Sequence, residues 1–385
     1  MQPRHVSVIP NGPLKNDNGI VRVDRQMATF IEEMSFNFEA ISMLQFKIDQ
    51  YDFNDYDISY IDNVAVLFIK TTKFKLFDYF RSIFKILVVL KGTDFSYIFF
   101  PGHLSLVYAA ISLILKKPFA LYVRGEYDRG CKVYFFSHII KFLNKIIIKK
   151  SVFVLTTGKL FMERLGDIHS NVEQVSPMIE VSKTDIFESR HYIHSHVIKI
   201  LFVSRILKEK GIFVLLEALQ KLKSTGNRFH FVCVGEGPDF SAVEAYIEKA
   251  DLLNCTTIVG HISDVNKLKD YYREADIFIM PSFSEGFPRT LYEAMTFGLP
   301  IITTFVGSIT SLMVDQSNCL KVNVSDVEDL SSKICNLITN TPLCEKLGRN
   351  AMATMLHFYE NCQYSHAQQV NIKINHFYNL TTNNL

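Results

Sequence analysis

Residues Ser282 to Thr303 read SFSEGFPRTLYEAMTFGLPIIT, and this stretch decides the fold. It follows an apolar run, Ile277-Phe278-Ile279-Met280, closed by Pro281, the pattern of a buried strand ending at a turn. Pro288 stands where a first helical position would be, and its fixed φ suits a helix start. Leu291 and Met295 fall four apart and give the short helix an apolar face. Gly298 and Pro300 stop it, and Ile301-Ile302 begins the next strand. The spacing predicts strand, loop, helix, strand. Glu285 then lies in the loop over a helix N-terminus, and Glu293 lies inside the helix, off its apolar stripe.

Such a loop suits a ligand that is an anion at one end and a polyol at the other. Free N–H groups and the positive end of a helix dipole attract phosphate. Carboxylates accept hydrogen bonds from sugar hydroxyls, and a charged acceptor forms the stronger bond. The plainer alternative makes Arg289 and Glu293 an i,i+4 surface pair and Glu285 an ordinary loop residue. The full string resembles the E-x7-E signature of retaining glycosyltransferases of family 4, in the form E-G-F-x-x-x-x-x-E-A-M. That resemblance implies the GT-B fold, α/β, with two doubly wound (Rossmann-like) parallel-sheet domains facing across a cleft. It also implies that Gly286, Phe287, Pro288, Arg289 and Glu293 belong to the donor-binding loop and that Glu285 takes part in catalysis.

Composition bounds the rest. At 385 residues the chain is too long for one typical core, so two domains are expected. A hydrophobic content of 48% with 21% charged residues fits a globular protein with ample core. A net charge of +2 is too near neutral for the whole chain to bind nucleic acid. The seven cysteines are scattered, with no C-x-x-C pair, which points to reduced thiols and a cytoplasmic location. No signal peptide is expected, since the N-terminus enters a strand at Val6 to Ile9. The longest apolar run, Leu104 to Leu115, ends in Lys116-Lys117 and reads as a buried helix.

The second half repeats the logic of its central stretch. A strand from Lys199 to Val203 leads into Ser204-Arg205-Ile206-Leu207-Lys208-Glu209-Lys210-Gly211. Arg205 and Lys210 stand where the resembled family places the Arg and Lys of its R-x4-K-G pattern, which bind a diphosphate. An Arg fork and a Lys point charge suit that ligand; solvated charges in a βα loop are the alternative. The strand Phe229 to Val234 ends in Gly235-Glu236-Gly237-Pro238, where glycine allows close backbone approach to a ligand. The strand Thr256 to Val259 ends in Gly260-His261, a place that lies near the nucleotide base in similar proteins. Arg205, Gly235, Gly260 and Glu285 each follow a predicted strand, so in a parallel sheet all four open onto one crevice.

The first half also alternates strand and helix signals, as βαβ units require. A loop from Pro10 to Gly19 precedes a helix expected from about Ile20 to Met34, and the resemblance implies that Gly19 faces the donor. Strands are expected at Val64 to Ile69, Phe95 to Phe100, Phe119 to Val123 and Val152 to Leu155. Asp55-Tyr56-Asp57 has the D-x-D form but reads as a solvated loop. Tyr122-Val123-Arg124-Gly125-Glu126 ends a strand, which makes Arg124 and Glu126 acceptor-side candidates, or alternatively an internal loop pair. Between Lys70 and Arg164 there are 17 Lys or Arg against five Asp or Glu. Lys73 to Lys91 and Lys141 to Lys150 concentrate that charge among bulky apolar residues, as segments that bind anionic membrane surfaces do; ordinary Lys-rich domain helices are the alternative.

Three domains of sequence follow: 1–190 on the acceptor side, 197–360 binding the nucleotide sugar, and a C-terminal helix and tail over 361–385 that in similar proteins packs back on the first domain. Phe187 to Val197 reads as the linker, with His191, His194 and His196 as linker residues and not a metal site. The expected activity is retaining transfer of a glycosyl group from a nucleoside-diphosphate sugar to a saccharide or lipid-linked saccharide, as in bacterial surface polysaccharide assembly. Arg205, Lys210 and Glu285 would be catalytic, with no cofactor and no metal. A nucleotide-sugar epimerase is the alternative of the same fold. A dinucleotide-dependent oxidoreductase is disfavoured, because no glycine fingerprint follows the first strand. A non-catalytic membrane-surface protein is a third reading.

Overall fold

The computed structural model describes the chain apart from residues 1–2, 13, 18, 48–55, 71–74, 125–133, 188–189, 191, 193–196, 287 and 383–385. The chain forms two compact units, Met1–Met178 with Tyr364–Leu385, and Ile179–Gln363.

In the first unit the strands are β1 (His5–Ile9), β2 (Lys15–Asp17), β3 (Ile20–Val23), β4 (Ala40–Lys47), β5 (Tyr56–Asp57), β6 (Val64–Lys70), β7 (Phe95–Phe100), β8 (Phe119–Val123), β9 (Val154–Thr156) and β10 (Val172–Gln174). Seven of them make one sheet in the order β10-β9-β8-β7-β1-β4-β6, with every pair parallel. Its helices are α1 (Arg25–Ser35), α2 (Lys75–Gly92), α3 (His103–Ile114), α4 (Tyr134–Lys150) and α5 (Lys159–Gly166), joined by the last helix of the chain, His366–Thr382. Parallel strands need crossovers, which place helices on both faces. Alternate side chains therefore enter different cores. Tyr97 and Phe99 of β7 meet Phe30 of α1 and Phe95 meets Phe377 of the last helix, while Ile98 and Phe100 enter the core shared with α2, α3 and α4.

The second unit has β11 (Ile198–Val203), β12 (Phe229–Val234), β13 (Thr256–Gly260), β14 (Ile277–Met280), β15 (Ile301–Thr304) and β16 (Leu320–Val322), in the order β13-β12-β11-β14-β15-β16, again all parallel. Its helices are α6 (Ile212–Ser224), α7 (Phe240–Lys249), α8 (Val265–Glu274), α9 (Arg289–Thr296), α10 (Val327–Thr339) and α11 (Thr341–Asn361), which leaves α12 for His366–Thr382. Each unit is thus a doubly wound Rossmann-like sheet.

The structure departs from the sequence reading in four places. Ile20–Val23 is a strand, not the start of a helix; it pairs antiparallel with β2 and β5. Asp24 then caps α1, its carboxylate accepting from the Met27 N–H at 2.9 Å. Tyr56 and Asp57 lie in that small sheet and not in a loop; Asp55 lies outside the described residues. α3 is only partly buried: Ile114 and Leu115 at its end are exposed.

The fourth departure is the boundary between units, which falls at Met178–Ile179 instead of within 190–197. Arg190 explains it. Its guanidinium donates to the carbonyls of Phe297 and Ala275, each at 2.5 Å, and of Tyr272 at 2.7 Å. It so neutralises the ends of α8 and α9, where unpaired carbonyls collect. The Tyr192 hydroxyl donates to Gly298 O at 2.7 Å. These two residues of the supposed linker are parts of the second unit; His191, His194 and His196 lie outside the described residues.

Candidate active site

Because all six strands of the second unit are parallel, their carboxyl ends share one edge. Five loops leave that edge. The loops after β11 and β12 are joined by the Ile206 N–H donating to Glu236 O at 2.8 Å. The Asp239 carboxylate, at the start of α7, accepts from the Lys208 N–H at 2.7 Å. Gly235, after β12, donates its N–H to the carbonyl of Gly260, after β13, at 2.8 Å. The loops after β14 and β15 are held by the Thr304 hydroxyl donating to Ser282 O at 2.6 Å, and by the Ser308 hydroxyl donating to Gly286 O.

Two glycines make the close packing possible. At Gly211 φ is +75°, and a Cβ would stand 2.0 Å from Pro281 O. At Gly307 φ is +58°, and a Cβ would stand 1.8 Å from Glu285 O. No side chain fits either distance, so these glycines set how near the neighbouring loop can come. Gly307 and Ser308 escaped the sequence reading. Their signal was the same as for Gly235: a glycine a few residues beyond a strand end.

The loops bring Lys210 and Glu285 together. Lys210 Nζ donates to Glu285 Oε1 at 2.7 Å, and the two side chains are 25% and 7% exposed. The Phe283 N–H donates to Glu209 O at 2.8 Å, which clips the two loops together beside this pair. Both residues were read from sequence as loop residues; the structure encloses the carboxylate and gives it a cation. Arg205, one loop position after Ser204, is exposed at the same edge.

Glu293 is not off an apolar stripe. Every residue of α9 from Leu291 to Thr296 is buried, Glu293 among them at 6% exposure. Its Oε2 accepts from the Tyr272 hydroxyl at 2.6 Å. Burial pushes the Glu293 carboxyl up to about 7, with the nearby Glu180 adding to the rise; the Tyr272 hydrogen bond, Arg289 and Lys269 oppose it. Tyr272 in turn stacks on Phe297, ring centroids 5.7 Å apart. Pro288 is the residue before the first turn of α9, one place earlier than expected, and is buried. Arg289 and His261 are half-buried, and Phe287 lies outside the described residues.

In the first unit, Gly19 sits at the tip of the β2–β3 hairpin, its N–H donating to Asn16 Oδ1 at 3.1 Å. Arg124 follows β8, its N–H donating to Phe100 O at 2.9 Å and its guanidinium 5.7 Å from the Tyr122 ring centroid. Glu126 lies outside the described residues. Tyr122 also packs edge-on against His366 of α12, whose Nε2 is 2.8 Å from the Tyr97 hydroxyl. Among the described residues, no group of three His, Cys, Asp or Glu side chains is placed to hold a metal ion.

Residues 185–354, which hold all five loops, match the family model described as "Glycosyl transferases group 1". Over that stretch the chain is similar to the glycosyl transferases of group 1. An uncharacterized glycosyltransferase of Methanocaldococcus jannaschii is 29% identical over 163 residues, 42% of this chain and 44% of that protein. The match therefore spans less than half the length of that relative. The N,N'-diacetylbacillosaminyl-diphospho-undecaprenol alpha-1,3-N-acetylgalactosaminyltransferase of Campylobacter jejuni is 27% identical over 307 residues, 73% of this chain and 78% of that one. The solved structure of Anabaena HepE in complex with UDP-glucose superposes with a TM-score of 0.69 over 99% of this chain and 100% of that one, at 14% identity. This last likeness covers both units and shows the fold, GT-B.

Proposed function

We propose that the chain transfers a glycosyl group from a nucleoside-diphosphate sugar to an acceptor hydroxyl, with retention at the anomeric carbon. The observation that carries this reading is the Lys210–Glu285 pair, enclosed among five strand-end loops of the stretch similar to group 1. The bond from the anomeric carbon to the diphosphate oxygen breaks with its electron pair going to the diphosphate. The acceptor oxygen makes the new bond to that carbon, and its proton passes to the departing diphosphate oxygen. Lys210 and Arg205 stabilise the charge that grows on the leaving group, an electrostatic contribution of the kind worth about 10²–10³ in rate per preorganised group. Glu285 accepts hydroxyls of the sugar, and Glu293 the ribose of the nucleotide. The backbone at Gly235, Gly260 and Gly286 approaches the donor.

Two relatives support the substrate classes. The Anabaena protein is described as bound to UDP-glucose, and the Campylobacter enzyme's name gives it a saccharide on diphospho-undecaprenol as acceptor. A saccharide of a bacterial surface polysaccharide, free or lipid-linked, is the acceptor class proposed here.

Melting curves with UDP, GDP, ADP and their sugars test the donor half of the reading. A ligand at about 100 times its Kd stabilises by roughly 2.7 kcal/mol, which ranks the nucleotides. A flat panel overturns the proposal. Release of sugar from the preferred donor only when a saccharide acceptor is present supports transfer; interconversion of the sugar on its nucleotide without acceptor makes the protein an epimerase.

A further inference from the structure

α3 packs between α2 and α4 over one face of the first unit's sheet. Ile86 and Leu90 of α2, Tyr108 of α3, and Ile147 and Ile148 of α4 enter the core beneath. The opposite stripe of a helix facing water is ordinarily polar. Here α2 exposes Phe84, Leu87 and Val88, and α4 exposes Phe142, Leu143 and Ile146. Phe84 is 69% and Phe142 64% exposed. Steps of three and four residues set each trio on one side of its helix. Neighbouring helices lie about 8–10 Å apart, so the two stripes run roughly 20 Å from one another.

Charge surrounds these stripes. Each helix carries four Lys or Arg, and Asp78 is the single carboxylate of the two sequences. Lys91 ends the α2 stripe, and Lys145, Lys149 and Lys150 continue the α4 stripe, all exposed. Single exposed apolar residues are ordinary; two stripes of them bordered by cations are a binding surface. Phenylalanine and leucine at such a surface enter the boundary of headgroups and acyl chains, while lysine stems reach to the phosphates. A second copy docking through the same face would oppose lysine to lysine, which costs association. Among the described residues no helix is long and apolar enough to cross a bilayer, so the contact is one of surface and not of span.

We propose that the outer face of α2 and α4 is a docking surface for an anionic lipid bilayer. It stands apart from the transfer reaction, because none of these residues is among those given a role in transfer. Sedimentation of the full chain with vesicles of phosphatidylcholine, alone or with phosphatidylglycerol, tests it. Retention on the anionic vesicles that falls steeply as salt is raised is the expected result. Lys145→Gln/Lys149→Gln/Lys150→Gln should weaken that retention on the order of a hundredfold, at roughly one unit of binding energy per lysine. The same number of changes at exposed lysines of the second unit, Lys249, Lys267 and Lys346, should leave it unchanged. Phe84→Ser/Phe142→Ser, with its melting temperature kept, should lose retention that salt reduction does not restore. Equal recovery with neutral and anionic vesicles overturns the proposal. So does a dimer in size-exclusion chromatography that Phe84→Ser/Phe142→Ser dissociates without any change in vesicle binding, which makes the face a protein interface.

Discussion

The two units share a topology and spend their charge differently. The second sets Lys210 against Glu285 at the carboxyl ends of its strands, in loops tied by backbone hydrogen bonds, with Arg205 exposed at the same edge. The first sets Lys91, Lys145, Lys149 and Lys150 on the outer sides of two helices, near exposed Phe84 and Phe142. A charge at a strand end is fixed by its neighbours and can act on a reacting bond. A charge on a helix back is hydrated and mobile, and serves long-range attraction. In the functions proposed above, two sheets of one kind support chemistry in one case and adhesion in the other.

The largest effect expected from breaking this contrast is on turnover. Lys210→Ala should lower kcat at saturating donor at least about a hundredfold. It should also cost stability, toward the low end of the roughly 3–5 kcal/mol for breaking a buried pair, because the enclosed Glu285 is left without its partner. Lys210→Ala/Glu285→Gln should recover the melting temperature and not the rate. A double variant that regains turnover would make the pair a structural fastening and nothing more. Arg205→Ala, at an exposed position, should lose rate with little change in melting, and Arg205→Lys should restore only part of it, as an ammonium lacks the guanidinium fork.

Next in size is an opposition in pH. Glu293 in the second unit has its carboxyl raised from 4.5 to about 7 by burial. The folded state then binds more protons than the unfolded between these values, so its contribution to stability is full below about 4.5 and is lost as pH rises through about 7. Glu293→Gln should therefore stabilise the second unit at pH 8 by up to about 3 kcal/mol and bring little at pH 4.5. It should also weaken nucleotide binding. His366 in the first unit is lowered by burial from 6.5 to about 3, Ser176 O opposing. The unfolded state binds the extra proton, so this stability is full above about 6.5 and falls as pH drops. By pH 5 the loss is about 2 kcal/mol. Hydrogen exchange of α9 and α12 amides separates the units; slopes of the same sign in both would end the contrast.

A smaller effect is expected at Gly307. Alanine there adds strain at φ +58° and a clash with Glu285 O, for a loss of about 2 kcal/mol or more in melting experiments and a weaker grip on the donor. An unchanged melting curve would show that the loops after β14 and β15 can part freely.

Much of this was legible from residue order. Strand ends followed by Arg205, Gly235, Gly260 and Glu285 marked the crevice edge because parallel strands leave no other place for those loops. The strand Ala40–Lys47 was not legible. Its Gln45 breaks the apolar pattern, yet it is buried, its amide donating to Pro10 O at 2.8 Å and Gly12 O at 2.9 Å. Glu293 failed for the same reason: its partner Tyr272 lies on another helix. A polar residue announces itself as surface unless its partner is known, and distant partners leave no local trace. The hairpin at Ile20–Val23 could have been found, since Asp24 is a good cap three residues before Met27.

The division of the chain has a consequence for anyone who cuts it. Since Tyr364–Leu385 returns to the first unit, the second is an insert with both ends joined to one host. Expressed alone, residues 179–363 keep their sheet, both cores and all five loops. A stop codon after residue 363 does the opposite. It strips Val370 and Ile374 from the host's core and leaves Tyr97 without His366, so the shorter deletion is the more damaging one.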